Sequence, residues 1–259
     1  MVTLTLNGKK IEAAEGTSIL QVVESYDIQI PTLCNHEALE PAGLCRLCTV
    51  EIFDGRRTRF VTSCNYPVRK HIEVETHSEE VIRHRKMLVE LLLARCPNND
   101  FVKELAAQFG VEVPRFKVDD DDCVLCGLCF RVCAVIGANA INFSGRGTEI
   151  LVATPFKIES EVCVACGACA ALCPTGHIKL EEVEDERFIK IKDCIIKRVK
   201  MERCAACGTP YAPEIFRKYV YNRIDKVGPP SEKRDVCPMC ARRANAERIV
   251  LGAIEFSAV

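Results

Sequence analysis

The chain has 259 residues, 48% of them hydrophobic and 27% charged, with a net charge of −1, which suits a soluble globular protein of one to three domains. No apolar run approaches the roughly 20 residues needed to cross a bilayer, and the opening MVTLTLNGKKIEAAEG lacks the apolar core of a signal peptide. Eighteen cysteines without an export signal argue against a disulfide scaffold and for metal ligation in a reducing, cytoplasmic setting.

Residues 2–6, VTLTL, alternate as a strand should; Asn7-Gly8 is a two-residue hairpin signal, and KKIEAA can return as the partner strand. Thr17 or Ser18 can cap a short helix carrying Ile19, Leu20, Val22 and Val23, with Gln21 placed for a capping box on Ser18. IQIPTLC, a loop to GLCRLCTVEIF, and a strand in TRFVTSC complete a small α+β unit ending near residue 76. Thr76-His77-Ser78-Glu79 reads as a capping box opening EEVIRHRKMLVELLLA, where Val81, Met87, Leu88, Leu91 and Leu92 recur at helical spacing. CPNND stops that helix, FVKELAAQFG forms a second one ended by Gly110, and DDDD at 119–122 is polar punctuation.

CVLCGLCFRVC from Cys123 and CVACGACAALCP from Cys163 form a repeat: six of eleven paired positions are identical, four of them cysteines. Each fits C-x2-C-x2-C-x3-C, the bacterial ferredoxin spacing for a [4Fe–4S] cluster, in which the fourth cysteine serves the other cluster. The expected sets are Cys123, Cys126, Cys129 with Cys173, and Cys163, Cys166, Cys169 with Cys133. Gly127 and Gly167 fall at one place in each loop, where a residue without Cβ lets backbone N–H groups curl toward an anionic cluster. Pro174 follows the last cysteine as the motif expects, and Ala134 stands at the matching place in the first half. A pair of zinc sites fits less well, because zinc favours two separated CxxC pairs.

Upstream, Cys34, Cys45, Cys48 and Cys64 are spaced C-x10-C-x2-C-x15-C. A plant-type [2Fe–2S] site has C-x4-C-x2-C and a distant fourth cysteine, so the first loop here is six residues longer. Gly43 is expected next to the cluster and Arg46 pointing outward; zinc is the rival reading. Downstream, Cys204 and Cys207 form one CxxC and Cys237 and Cys240 another, 29 residues apart. Four thiolates at that spacing suit a zinc ribbon or a further [4Fe–4S] cluster. Residues 1–189 carry 20 basic and 28 acidic side chains, a net of −8, and residues 190–259 carry 15 and 8, a net of +7. That basic tail can dock on an acidic partner or on nucleic acid, or simply be a solvated face. Cys96 and Cys194 are expected to be free thiols. No P-loop, dinucleotide fingerprint, nucleophile elbow or HExxH is present, so no catalytic site of its own is expected.

IPTLCNHEALEPAGLCRLCTVE followed by TSC resembles the amino-terminal domain of the large iron–sulfur subunit of respiratory complex I, and the small electron-transfer (diaphorase) subunit of NAD-linked hydrogenases and formate dehydrogenases. The resemblance covers roughly residues 1–180. It implies an α+β chain: a β-grasp [2Fe–2S] ferredoxin-like domain at 1–77, a helical linker at 78–118 and a bacterial-type 2[4Fe–4S] ferredoxin domain at 119–185, here followed by the basic zinc-ribbon-like tail at 186–259. That family usually adds a [4Fe–4S] site with one His and three Cys ligands in the linker. Here the region offers Cys96 alone, with His71, His77 and His84 upstream, so this cluster is expected to be missing. The implied role is an iron–sulfur electron-transfer subunit of a multisubunit oxidoreductase. It would relay single electrons between an NAD(H)-oxidising flavoprotein and a low-potential catalytic subunit such as a hydrogenase or formate dehydrogenase, in some cases electron-bifurcating. Its cofactors would be one [2Fe–2S], two [4Fe–4S] and one zinc or third [4Fe–4S], with no membrane span and no nucleic acid. The alternatives are a free-standing multi-cluster ferredoxin and, in another class, a zinc-binding module that contacts nucleic acid.

Overall fold

The structure, a computed structural model, describes residues 1–192, 194–224 and 235–256. Strands β1 (Val2–Leu6) and β2 (Lys9–Ala13) pair antiparallel around Asn7 and Gly8, whose φ angles of 47° and 78° are those a type I′ turn requires. Helix α1 (Ile19–Glu24) starts at Ser18 with the expected capping box: Ser18 Oγ accepts from Gln21 N, and Gln21 Oε1 accepts from Ser18 N at 3.2 Å. β3 (Thr49–Phe53), β4 (Thr58–Thr62) and β5 (Glu73–Glu75) complete a sheet in the order β2-β1-β5-β3-β4, with β1 and β5 parallel. β5, the last of these strands in the chain, thus lies at the centre of the sheet. Strand side chains alternate, so Leu4 and Leu6 share one face with Val50, Ile52 and Val74, and α1 covers that face. Each such aliphatic side chain contributes about 1.5–3 kcal/mol by leaving water.

Helix α2 (Glu79–Arg95) departs from the sequence reading in two ways. Its cap is Ser78, whose Oγ accepts from Val81 N at 3.4 Å and donates to Glu51 on β3. Thr76 is instead buried and bonds to Asn7 twice at 2.9 Å, tying the β1–β2 turn to the end of β5. The buried row runs Val81, Arg85, Val89, Leu93, whereas Met87 and Leu91 are exposed and Leu88 and Leu92 only flank the core. A periodicity search for apolar residues passes over this row because an arginine sits in it. Helix α3 (Asp100–Gln108), capped by Asn99, folds back on α2.

Helix α4 (Leu128–Ile136), the hairpin β6 (Asn142–Ser144) and β7 (Leu151–Ala153), the short helix α5 (Ala168–Ala171) and β8 (Ile178–Val183) build the cysteine repeat. The boundary expected at 185/186 lies in the turn between β8 and β9 (Glu186–Ile191), which pair along their length. The sheet runs on through β10 (Cys194–Arg203) and β11 (Pro210–Pro213), so the start of the expected tail shares one sheet with β8. Helices α6 (Glu214–Ile224) and α7 (Pro238–Phe256) follow; residues 193, 225–234 and 257–259 of the expected tail lie outside the described residues. Among the described residues, no helix is long and apolar enough to cross a membrane.

One core joins the parts. Leu33, Cys34 and Leu47 of the first unit pack with Val89 and Leu93 of α2, Val102 of α3, and Val124, Cys126 and Leu128 of the repeat. The acidic run at 119–122 is a fastener as well as punctuation. Asp121 takes Arg95 Nη2 at 2.8 Å and Lys192 Nζ at 3.1 Å, while Asp119 N donates to Ala94 O at 2.7 Å.

Candidate metal centres

All eighteen cysteines are free thiols, with no disulfide. Cys34, Cys48 and Cys64 are buried and Cys45 half-buried, at the end of the sheet where the 34–48 loop meets the start of β3 and the end of β4. They meet in two pairs. The Cys45 thiol donates to Cys34 and pulls it down to about 5; the Cys64 thiol donates to Cys48 and pulls it down to about 6; each donor is pushed up in turn. A two-iron core has two thiolates on each iron, so two proton-sharing pairs are the arrangement it fits. Gly43 is buried, and Arg46 is exposed, pointing outward as expected.

The repeat brings its halves together across each other. Cys123, Cys126, Cys129 and Cys173 line one cavity. Electrostatically, Cys173 acts on Cys123 and Cys126, while Cys133 acts on Cys163 and Cys169, which is the crossed pairing of the two motifs. Gly127 and Gly167, at φ 73° and 82°, are the N-caps of α4 and α5. A Cβ on Gly127 would lie 2.6 Å from Leu44 Cδ1, and one on Gly167 would lie 2.5 Å from Leu180 Cδ1. Leu125 and Ala165 occupy left-handed backbone at the same place in each loop, φ 53° and 54°. Two non-glycine residues held at about 1–2 kcal/mol of cost show that both loops are curled to one template. Burial pushes the thiols of Cys123 (to about 11), Cys126, Cys129, Cys163 and Cys169 (to about 12) upward. Thiolates there need a cation to stabilise them.

Sequence reasoning missed what holds these loops. When backbone N–H groups turn toward a cluster, carbonyls turn away and need donors. Four arginines supply them: Arg131 to Cys34 O at 2.7 Å, Arg85 to Thr49 O at 2.8 Å, Arg95 to Cys123 O at 2.7 Å and Arg187 to Ala165 O at 3.1 Å. Arg131, between Cys129 and Cys133, also donates to Glu40 O and so binds the repeat to the first unit. The signal was an arginine in an otherwise apolar register, as at 85. Sulfur is met as well: Ala140 N donates to Cys133 Sγ at 3.2 Å, and Thr175 Oγ1 and Cys173 Sγ share a hydrogen bond at 3.6 Å.

In the tail, Cys204, Cys207, Cys237 and Cys240 have sulfur atoms all within 4.8 Å of one another, the one such group of three or more candidate ligands among the described residues. Cys237 N donates to Cys204 Sγ at 3.2 Å and Cys240 N to Cys237 Sγ at 3.4 Å. Backbone donors, Cys237 N first, hold the Cys204 thiol down at about 6. Beside it, Tyr219 Oη and Arg223 Nη1 of α6 donate to Ile136 O, capping α4. Cys96 is a fully buried core thiol at the end of α2, pushed up to about 12 by burial, and Cys194 Sγ donates to Lys157 O at 3.4 Å. His71 pairs with Thr3 O, His77 with Thr76 Oγ1, and His84 packs edge-on against Phe60.

Residues 1–79 match the 2Fe-2S iron-sulfur cluster binding domain and residues 116–180 the 4Fe-4S dicluster domain. The chain is 35% identical over 180 residues to the NADPH-Fe(3+) oxidoreductase subunit alpha of Geobacter sulfurreducens, covering 60% of this chain and 21% of that protein. It is 29% identical over 181 residues to the mitochondrial NADH-ubiquinone oxidoreductase 78 kDa subunit of Candida albicans, covering 59% of this chain and 25% of that one. The chain thus spans about a fifth to a quarter of the length of these curated relatives. Among solved structures it resembles a chain of the NAD+-reducing [NiFe]-hydrogenase in the H2-reduced state, with a TM-score of 0.53 and 28% identity over 59% of this chain and 74% of that one. Its first 180 residues therefore pair a 2Fe-2S iron-sulfur cluster binding domain with a 4Fe-4S dicluster domain, and with that pairing the chain resembles subunits of NADPH- and NADH-linked oxidoreductases and of an NAD+-reducing hydrogenase.

Proposed function

We propose that the chain is the electron-transfer part of a multisubunit oxidoreductase in the cytoplasm. It relays single electrons between a flavoprotein that handles NAD(H) and a low-potential catalytic subunit. Cys34, Cys45, Cys48 and Cys64 hold a [2Fe–2S] centre; Cys123, Cys126, Cys129 and Cys173 hold one [4Fe–4S] centre, and Cys163, Cys166, Cys169 and Cys133 the other. Such centres supply one-electron carriers whose potentials range from about −700 to +450 mV.

The observation that carries this reading is the contact between two cysteine loops. Leu44, beside Cys45, lies against Gly127, between Cys126 and Cys129, and Arg131 reaches from α4 to Cys34 O. Cys34 and Cys126 belong to one core of buried residues. Two cysteine loops in direct contact suit a relay, and no cluster between them is needed in the 78–118 segment. In the tail, zinc fits better than a further cluster. A zinc–sulfur bond of about 2.3 Å puts tetrahedral sulfurs about 3.8 Å apart, and Cys207 and Cys237 Sγ are 3.9 Å apart.

Metal and sulfide analysis of anaerobically purified protein tests this directly. The expected content is about ten iron atoms, two from one centre and four from each of two others, and one zinc. About fourteen iron atoms and no zinc would make the tail a cluster site; zinc alone would end the electron-transfer reading. Copurification with a flavoprotein supports the complex, and a monomer that brings down nothing supports a free-standing ferredoxin.

A further inference from the structure

Three buried side-chain nitrogen or oxygen atoms among the described residues lack a hydrogen-bond partner: Arg59 Nε, Ser63 Oγ and Arg85 Nε. Two of the three surround one cysteine. Ser63 is fully buried between β4 and Cys64, and its N–H donates to Cys48 O at 3.0 Å. Arg85 is 2% exposed, comes from α2 rather than from the first unit, and reaches Thr49 O, one residue past Cys48.

Arg85 also has no carboxylate partner among the described residues, whereas Arg95 pairs with Asp121 and Arg187 with Glu182. A buried guanidinium without a counter-ion is costly, and an anionic neighbour removes that cost. Two irons, two sulfides and four thiolates make such an anion, and reduction makes it one charge more negative. Resting on the [2Fe–2S] reading of Cys34, Cys45, Cys48 and Cys64, we infer that Arg85 and Ser63 are positioning residues that face this centre from the Cys48 side, favour its reduced form, and set its potential above that of a site lacking them.

The test is an EPR-monitored redox titration of the full chain, comparing parent, Ser63→Ala, Arg85→Gln and Arg85→Lys, with the [4Fe–4S] signals in each sample as internal reference. Each variant is expected to keep the [2Fe–2S] signal but to titrate lower. Arg85→Gln should fall furthest, by about a tenfold change in the reduced-to-oxidised ratio at fixed poise, or 59 mV for a one-electron couple; Arg85→Lys should fall between it and the parent. Parent-like potentials in Ser63→Ala and Arg85→Gln would overturn the inference. So would an equal shift in the [4Fe–4S] signals, or loss of the [2Fe–2S] signal from every variant, which would make the residues scaffolding. A parent without any [2Fe–2S] signal would instead overturn the cluster reading itself.

Discussion

The ferredoxin repeat and the tail both present sets of four cysteines, yet they space sulfur differently. In the repeat, Cys123, Cys126, Cys129 and Cys173 line a cavity, and burial pushes most of the repeat thiols up. In the tail, sulfurs converge within 4.8 Å and backbone N–H groups point at them; Cys204 is pulled down while Cys240 is pushed up. The first arrangement suits a cationic body large enough to fill the gap between thiols; the second has the span that would suit a single ion. The lesson is that ligand type and number do not decide the cofactor. The space the fold leaves between the sulfurs does, together with what points at them.

The largest effect that would break this contrast is loss of a whole centre. Cys126→Ser should remove about four iron atoms per chain while leaving zinc unchanged, measured by elemental analysis. Loss of zinc with it would mean that the two regions are not independent. Stripping the tail with a chelator should remove zinc, leave iron in place, and expose residues 204–240 to protease, because a structural zinc site supplies its own folding energy. Zinc retention should weaken as pH falls, since each ligand must be a thiolate, and protons compete for it. Gly127→Ala addresses the contact between cysteine loops: a Cβ at φ 73° against Leu44 should cost about 1–3 kcal/mol, read as a lower thermal midpoint and slower reduction of the [4Fe–4S] centres. Gly8→Ala, which meets no atom within 4 Å, controls for backbone strain alone. The smallest effect is expected from Tyr219→Phe, which deletes one bond from α6 to Ile136 O and should cost about 0.5–1.5 kcal/mol in denaturant titration.

The hairpin at Asn7-Gly8, the Ser18 capping box, both helices of the 78–118 segment and the grouping of cysteines were legible in the chain because they are local. Turn chemistry, caps and CxxC spacing act within a few residues of one another. The α2 register was misread because its buried row contains Arg85, and hydrophobic periodicity has no way to score a buried cation. The 185/186 boundary falls in the turn between β8 and β9, whose pairing only the folded chain shows. The run at 119–122 hid a fastener, since Asp121 meets Arg95 and Lys192 only when the chain has folded.

By itself the sequence determined where the cysteine pairs and triplets fall along the chain, because spacing within a loop is covalent. Only the tertiary structure decided which arginines hold the cysteine loops, that the first cysteine unit abuts the repeat through Leu44 and Gly127, and that the tail sulfurs converge to the span of one ion. Those are meetings between residues far apart in the chain, and they are set by how the apolar faces of α2, the sheet and the repeat pack into one core.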